Sequence, residues 1–248
     1  MKRLSFIIFF FLVCTSSYAE EQFLIVTGEW APYVSQKLPE YGYTAEIVKK
    51  SFSEMGISVH YKFYSWKRAT LMVSKGACIG AFPYVETPER KEFAFFSEPF
   101  CMSDSKFFYY NEKFKDITYE DVKELNRFNI GTTLGYASEK NLQKEGLKTD
   151  SAPTDLLNLR KLIRGRIDLF ASSSIVAWNL IKKEFPNDIK KFGTLQKPYS
   201  KYKLALIISK KIPNAQKYIA TFNEGLKKIK DKGIYKQILD KHGIIENP

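Results

Sequence analysis

Residues 80–100, GAFPYVETPERKEFAFFSEPF, hold one arginine between two apolar, aromatic-rich segments. Arg90 is one of seven arginines in a chain whose positive charge is mostly lysine. A guanidinium is planar and permanently charged, and its rigid fork of donors matches a carboxylate. Set in a turn beside Phe82, Pro83 and Tyr84, it has the chemistry of a carboxylate clamp with apolar walls. On spacing alone it serves equally well as a surface residue answering Glu89 and Glu92. Other reactive chemistry is sparse. A general acid or base needs a placed His, Asp or Glu. The two histidines, His60 and His242, sit on a strand-like run and near the C-terminal end, where structural roles suit them. Glu29 and Glu86 are the carboxylates expected near Arg90, and no hydrolytic pair is evident. No metal-ligand spacing or nucleophile motif appears, so neither cofactor nor metal is expected.

The elements that would position these groups follow from periodicity. Residues 23–27 read as a buried strand, followed by the loop Gly28-Glu29-Trp30-Ala31-Pro32-Tyr33. Ala45, Val48, Phe52 and Met55 recur at helical spacing until Gly56. Ile57, Val59, Tyr61 and Phe63 alternate with polar residues as a half-buried strand does. Ser65 caps a helix bearing Trp66, Ala69 and Val73, and residues 78–82 form the next strand. Strand, helix, strand, helix, strand implies crossovers and a parallel sheet. A polar connection at 111–116 leads to a second such unit. In it, Thr118 with Asp121 resembles a capping box, 129–132 is a strand, Thr154 caps a helix and 167–171 is a strand. A last strand at 204–208 and two helices have no sheet of their own. The economical solution returns them to the first unit. The predicted fold is therefore α/β and two-lobed, each lobe a mostly parallel sheet flanked by helices, with two hinge crossings. Residues 20–110 plus 204–248 make one lobe and 111–203 the other. A cleft between lobes is where a small ligand binds.

The N-terminus reads as a secretory signal over residues 1–19. Lys2 and Arg3 precede nine apolar residues among the ten of 4–13, and Ser17-Tyr18-Ala19 is a small-x-small cleavage site before Glu20. Cys14 admits a lipoprotein signal instead, although Leu12 and Val13 stand where small residues belong. The apolar run is too short to span a bilayer. Export to the periplasm is the expectation. The formal net charge is +12, but the lysines are dispersed and form no arginine-rich block or recognition motif. A lysine-rich solvated surface is expected, with no nucleic-acid partner. Two cysteines remain after the signal, Cys78 and Cys101. In an oxidising compartment they are expected to pair, closing a loop of about 20 residues, worth roughly 3 kcal/mol. Two free core thiols are the alternative, since Cys78 lies in an apolar strand.

Taken in order, these motifs resemble the family-3 periplasmic solute-binding proteins that serve ABC importers of polar amino acids. The carriers are GEWAPY after the first strand, YSWKRA opening the second helix, FPYVETPERKEFAFFSEPF, TYEDVKELNRFNIGTTLGYA and LRKLIRGRIDLFASSS. The resemblance implies the type II periplasmic binding protein fold, a monomer, a small anionic or zwitterionic solute and a membrane permease as partner. It places the ligand carboxylate on Arg90 and on the backbone N–H groups of Gly135, Tyr136 and Ala137 at a helix start. It makes Trp30, Tyr33, Phe82 and Tyr84 the packing aromatics, with Trp66 a further candidate whose helical spacing equally suits a core residue. The family's amine-binding Asp falls on Ser173 here. A neutral serine cannot balance an ammonium as a carboxylate does. Either the ligand lacks an α-amino group or another acid, such as Glu29, supplies the charge. Related folds also include ligand-presenting sensors and enzymes of the cyclohexadienyl dehydratase type, which stand as alternatives to transport.

Overall fold

A computed structural model of the chain describes residues 22–244. The expected signal segment lies outside the described residues. The first unit runs β1 (Gln22–Thr27), α1 (Tyr43–Ser53), β2 (Ser58–Phe63), α2 (Trp66–Lys75) and β3 (Gly80–Val85). Strand β1 lies between β2 and β3 and is parallel to both. Local chemistry sets the borders of α2. The Ser65 side chain accepts from the Arg68 N–H at one end, and Gly76 takes a left-handed conformation at the other.

After α3 (Pro88–Phe93) and β4 (Ala94–Phe96), the long strand β5 (Cys101–Tyr109) leaves the first unit. The second unit contains β6 (Ile130–Thr133), α4 (Ala137–Lys144), β7 (Thr149–Ala152), α5 (Asp155–Ile163), β8 (Leu169–Ser173) and α6 (Ser174–Glu184). Strand β6 lies between β7 and β8, again parallel to both. The short β9 (Gly193–Thr194) pairs with β5, and β10 (Ser200–Ser209) returns to the first unit. Helices α7 (Ala215–Asp231) and α8 (Ile234–Lys241) follow.

Each unit is parallel within itself. The antiparallel strands β5 and β10 join the units into one curled mixed sheet, ordered β2-β1-β3-β10-β5-β8-β6-β7. Residues 204–208 of β10 pair with β3, residues 200–204 pair with β5, and residues 105–108 of β5 pair with β8. The two crossings are thus hydrogen-bonded to each other. The result is the two-lobed α/β architecture expected. Helices α7 and α8 pack on the elements of the first unit. Phe222, Leu226, Ile229, Ile238 and Leu239 join its core with Phe23 and Phe52, and the rings of Phe52 and Phe222 lie 5.4 Å apart. Burying one such side chain contributes about 1.5–3 kcal/mol.

Three local expectations need correction. Residues 88–93 form a short helix, not an open turn, with the Thr87 side chain accepting from the Arg90 N–H. The cap of the 3₁₀ turn Val122–Leu125 is Asp121, not Thr118, and the Glu124 carboxylate reaches back to the Asp121 N–H at 3.0 Å. Cys78 and Cys101 are both free thiols. Cys78 packs with Val26, Ala81 and Ile207, whereas Cys101 packs with the cluster of Phe23, Leu204 and Leu206. Those clusters cover opposite faces of the sheet, since consecutive residues along β10 divide between them, and a bond of fixed S–S length cannot cross it. Burial pushes the Cys78 thiol up to about 11, and Cys101 higher still, so neither is a ready thiolate.

Candidate functional site

A cavity lies between the lobes, with about 520 Å³ of space not filled by protein atoms, part of it open to solvent. The first lobe contributes Trp30, Trp66, Pro83, Tyr84, Val85 and Arg90. The second lobe contributes the loop from Gly135 to Ser138 and the end of β8 at Ser172 and Ser173. The hinge strands and the turn before β10 supply Ser103, Ser105, Tyr199, Tyr202 and Leu204.

Arg90 reaches this cavity from α3 and ties the lobes together. Its Nη1 donates to Val85 O at 2.7 Å, and its Nη2 donates to Gly135 O of the other lobe at 2.9 Å. The guanidinium carbon lies 4.8 Å from the Tyr84 ring centre, a cation–π contact. Burial lowers the Arg90 pKa from its ordinary value, and the group nonetheless stays charged. No carboxylate forms an ion pair with it among the described residues; its neighbour Glu89 pairs with Lys144 across the cleft at 2.5 Å. Two of its five N–H groups are engaged, so three remain for a ligand.

Not every aromatic residue expected here lines the cavity. Phe82 is fully buried in the first-lobe core. Between Ala81 and Tyr84 strand β3 advances three residues while β10 advances two, from Ile207 to Ala205. This bulge breaks the side-chain alternation, so Phe82 and Tyr84 join clusters on opposite faces and Tyr84 reaches the cleft. Tyr33 sits one layer behind the wall. It stacks on Trp30 with ring centres 4.3 Å apart and donates to Met102 O at 3.0 Å. Burial pushes its hydroxyl up to about 12. Trp66 does both things its spacing allowed: it packs against the first-lobe core and lines the cavity, edge-on to Trp30 at 6.2 Å. Glu29 is exposed, lies outside the lining and accepts from Gln36 N–H and Nε2.

The loop after β6 is built for close approach. Gly135 has φ +86°, and a Cβ there would stand 3.0 Å from the Lys67 amide nitrogen and 3.3 Å from the Trp66 Cβ. Glycine therefore permits both the backbone conformation and the interlobe contact. The Gly135 N–H donates to Glu139 Oε2 at 3.1 Å, and the Tyr136 N–H donates to Thr133 O at 3.0 Å. The loop spends those two expected donors on itself, and Ala137 opens α4 at the cavity wall. Ser173 lines the cavity, and its Oγ accepts from Ser103 Oγ at 3.0 Å.

Several lining residues escape sequence reading. Ser103 and Ser105 lie on a strand that continues two turns of the pleat earlier than the apolar run suggests; their buried alternation with Met102, Asp104 and Lys106 was the available signal. Asp155 is another. It is buried behind the loop, accepting from Thr133 Oγ1 at 2.5 Å and from Tyr136 OH at 3.0 Å. It fixes the Tyr136 ring, which stands edge-on to Trp30 and Trp66 at 6.1 and 6.2 Å. Burial pushes the Asp155 carboxyl up to about 6, against the pull of those two hydrogen bonds.

A carboxyl held above its unfolded value of 3.8 binds its proton more tightly in the folded state. Its stabilising contribution is complete below that value and is lost as pH rises to about 6, a change of roughly 3 kcal/mol. Asp155→Asn removes the titration. Urea unfolding of both proteins should show the wild-type-minus-variant difference declining by about 2 kcal/mol or more across that window. A flat difference would show that the buried carboxyl is not perturbed.

The two histidines stay outside the site. His60 is exposed on β2, and His242 Nε2 lies 2.8 Å from Glu46 Oε2, beside Lys241. Glu86 is exposed and paired with Lys91. Among the described residues no group of three His, Cys, Asp or Glu could hold a metal.

The comparisons with known proteins agree with this fold. The model of the bacterial extracellular solute-binding proteins, family 3, matches residues 24–244. Among solved structures, a histidine kinase sensor domain with similarity to periplasmic binding proteins superposes with a TM-score of 0.78 at 17% identity, covering 92% of this chain and 99% of that one. An amino acid ABC transporter substrate-binding protein from Streptococcus pneumoniae, bound to L-arginine, gives 0.73 at 18% identity, covering 91% and 97%. An ancestral amino-acid-binding protein, a precursor of cyclohexadienyl dehydratase, gives 0.71 at 18%, covering 89% and 94%. At these identities the likeness concerns the fold alone. No curated protein matches the sequence.

Proposed function

The chain belongs to the bacterial extracellular solute-binding proteins, family 3, and from that premise we propose that it captures a small carboxylate-bearing solute between its lobes and delivers it to the permease of an ABC importer. Residues 22–110 with 204–244 act as one lobe and 111–203 as the other, working in the periplasm as a monomer. The observation that carries this reading is Arg90. Its charge is half-buried at the lobe boundary and, among the described residues, has no carboxylate partner and only two of its five N–H groups engaged. A cation left so is costly unless a matching anion arrives. A ligand carboxylate supplies that anion. Because Arg90 already binds both lobes, capture and closure use the same side chain.

A thermal-shift panel of amino acids, hydroxy acids, oxo acids and dicarboxylates tests the proposal. A ligand at 100 times its dissociation constant adds about 2.7 kcal/mol, which for a protein of this size raises the melting temperature by roughly 5–10 °C. At least one small carboxylate should do so. A panel without any shift counts against the reading, and a compound consumed over many turnovers would mark an enzyme instead.

A further inference from the structure

We infer that the solute is a hydroxy- or oxo-carboxylate with an apolar body, not an α-amino acid; this rests on the binding reading above and narrows it. Among the described residues, five buried side-chain polar atoms have no hydrogen-bond partner. Four of them belong to residues that line the interlobe cavity: Trp30 Nε1 and Ser172 Oγ, with Trp66 Nε1, which lies near the Tyr136 hydroxyl, and Tyr199 OH, which lies near the Ser105 and Ser138 hydroxyls. Buried polar atoms are normally satisfied, so a cluster of orphans around one cavity describes the partner that fills it. An indole N–H only donates, and a guanidinium only donates. The two tryptophans and Arg90 therefore ask for acceptor oxygens. The Ser172 and Tyr199 hydroxyls can give or receive, as a ligand hydroxyl or carbonyl requires.

An ammonium asks for the opposite. It carries three donors and needs a carboxylate to balance its charge. No Asp or Glu lines the cavity among the described residues. The nearby acids are committed elsewhere. Asp155 accepts from Thr133 and Tyr136, Glu139 from Gly135 N–H and Ser151, Glu29 from Gln36, and Glu89 from Lys144. Ser173 Oγ already accepts from Ser103. An ammonium in this space would share it with the Arg90 cation and face neutral hydroxyls. Nor do the aromatic rings offer an empty cage for it. Trp30, Trp66 and Tyr136 meet one another edge to face at 6.1–6.2 Å, so they fill the centre they surround. They offer apolar walls, which suit a hydrocarbon or aromatic body.

Matched sets that differ at one atom decide the question. Phenylalanine, phenyllactate and phenylpyruvate form one set; leucine, 2-hydroxyisocaproate and 2-oxoisocaproate a second; alanine, lactate and pyruvate a third. Isothermal titration of the mature chain should show, in at least one set, the hydroxy or oxo acid binding ten-fold or more tightly than its amino counterpart. Ser173→Asp should shift that ratio ten-fold toward the amino acid. If that variant does not fold, the wild-type comparison decides alone. Tightest binding of an amino acid, lost in Arg90→Ala, overturns the inference and leaves the binding reading standing. Absence of binding in all three sets overturns the inference, and the wider panel then judges the reading. Binding of a hydroxy acid that is indifferent to Arg90→Ala sinks both.

Discussion

Arg90→Ala is expected to remove at least 100-fold of the affinity for whichever carboxylate the wild type binds. Hydrogen bonds to a charged group contribute about 1.5–3 kcal/mol each, and a two-pronged contact makes two. A loss of about 2.7 kcal/mol already corresponds to 100-fold. The variant also releases Val85 O and Gly135 O, so the contact between lobes weakens with the contact to ligand. Arg90→Lys should recover less than a tenth of the loss. One ammonium keeps the charge but cannot serve two carbonyls and a carboxylate from a planar fork. Calorimetric titration of the three proteins with the strongest ligand of the panel checks this. Affinity within three-fold of wild type in Arg90→Ala would move the anchor elsewhere.

Gly225→Ala is expected to destabilise the fold by about 2 kcal/mol or more, against a helix propensity that favours alanine by about 1 kcal/mol. Gly225 lies inside α7 where that helix crosses α1. A Cβ there would stand 2.7 Å from the Ser51 carbonyl carbon and nearer still to its oxygen. Both obstacles are backbone, so no rotamer change relieves them. The helices must separate, and the Phe52–Phe222 contact beside them loosens. Thermal unfolding should fall by roughly 4–8 °C, whereas Gly233→Ala, at an open position past the helix end, tests only the left-handed backbone. A stabilised Gly225→Ala would show that the two helices have room to move.

Much of the architecture was legible in the sequence because periodicity reports burial. The alternation of Val59, Tyr61 and Phe63 corresponds to a strand with one half-buried side, and of the helical stripe Leu156, Leu159 and Ile163 the structure buries Leu159 and leaves the other two half-buried. Ser65, Thr154 and Gly76 marked helix ends by their own chemistry. What stayed hidden has physical causes. The PERKEF helix is too short and too charged to show a stripe, and β7, TDSA, is a polar edge strand. Composition named Phe82 and Tyr33 as aromatic but could not say which way they face; a bulge in one case and a stacked neighbour in the other turned them inward. The pairing of Cys78 with Cys101 failed for the same kind of reason, since sequence distance carries no information about opposite sides of a sheet. Asp155 looked like the first residue of a capped helix, which it is; only the fold sets it beneath Tyr136.

The two strands that pass between the lobes are laddered to each other from Cys101–Leu204 through Ser105–Ser200. A clamshell swung on two independent loops would have to find its closed orientation among many. A closing motion in this chain would have to bend the pair as a single ribbon, like a leaf spring. Ser103 and Ser105 ride on that spring, so any such bending would carry the cavity floor with it.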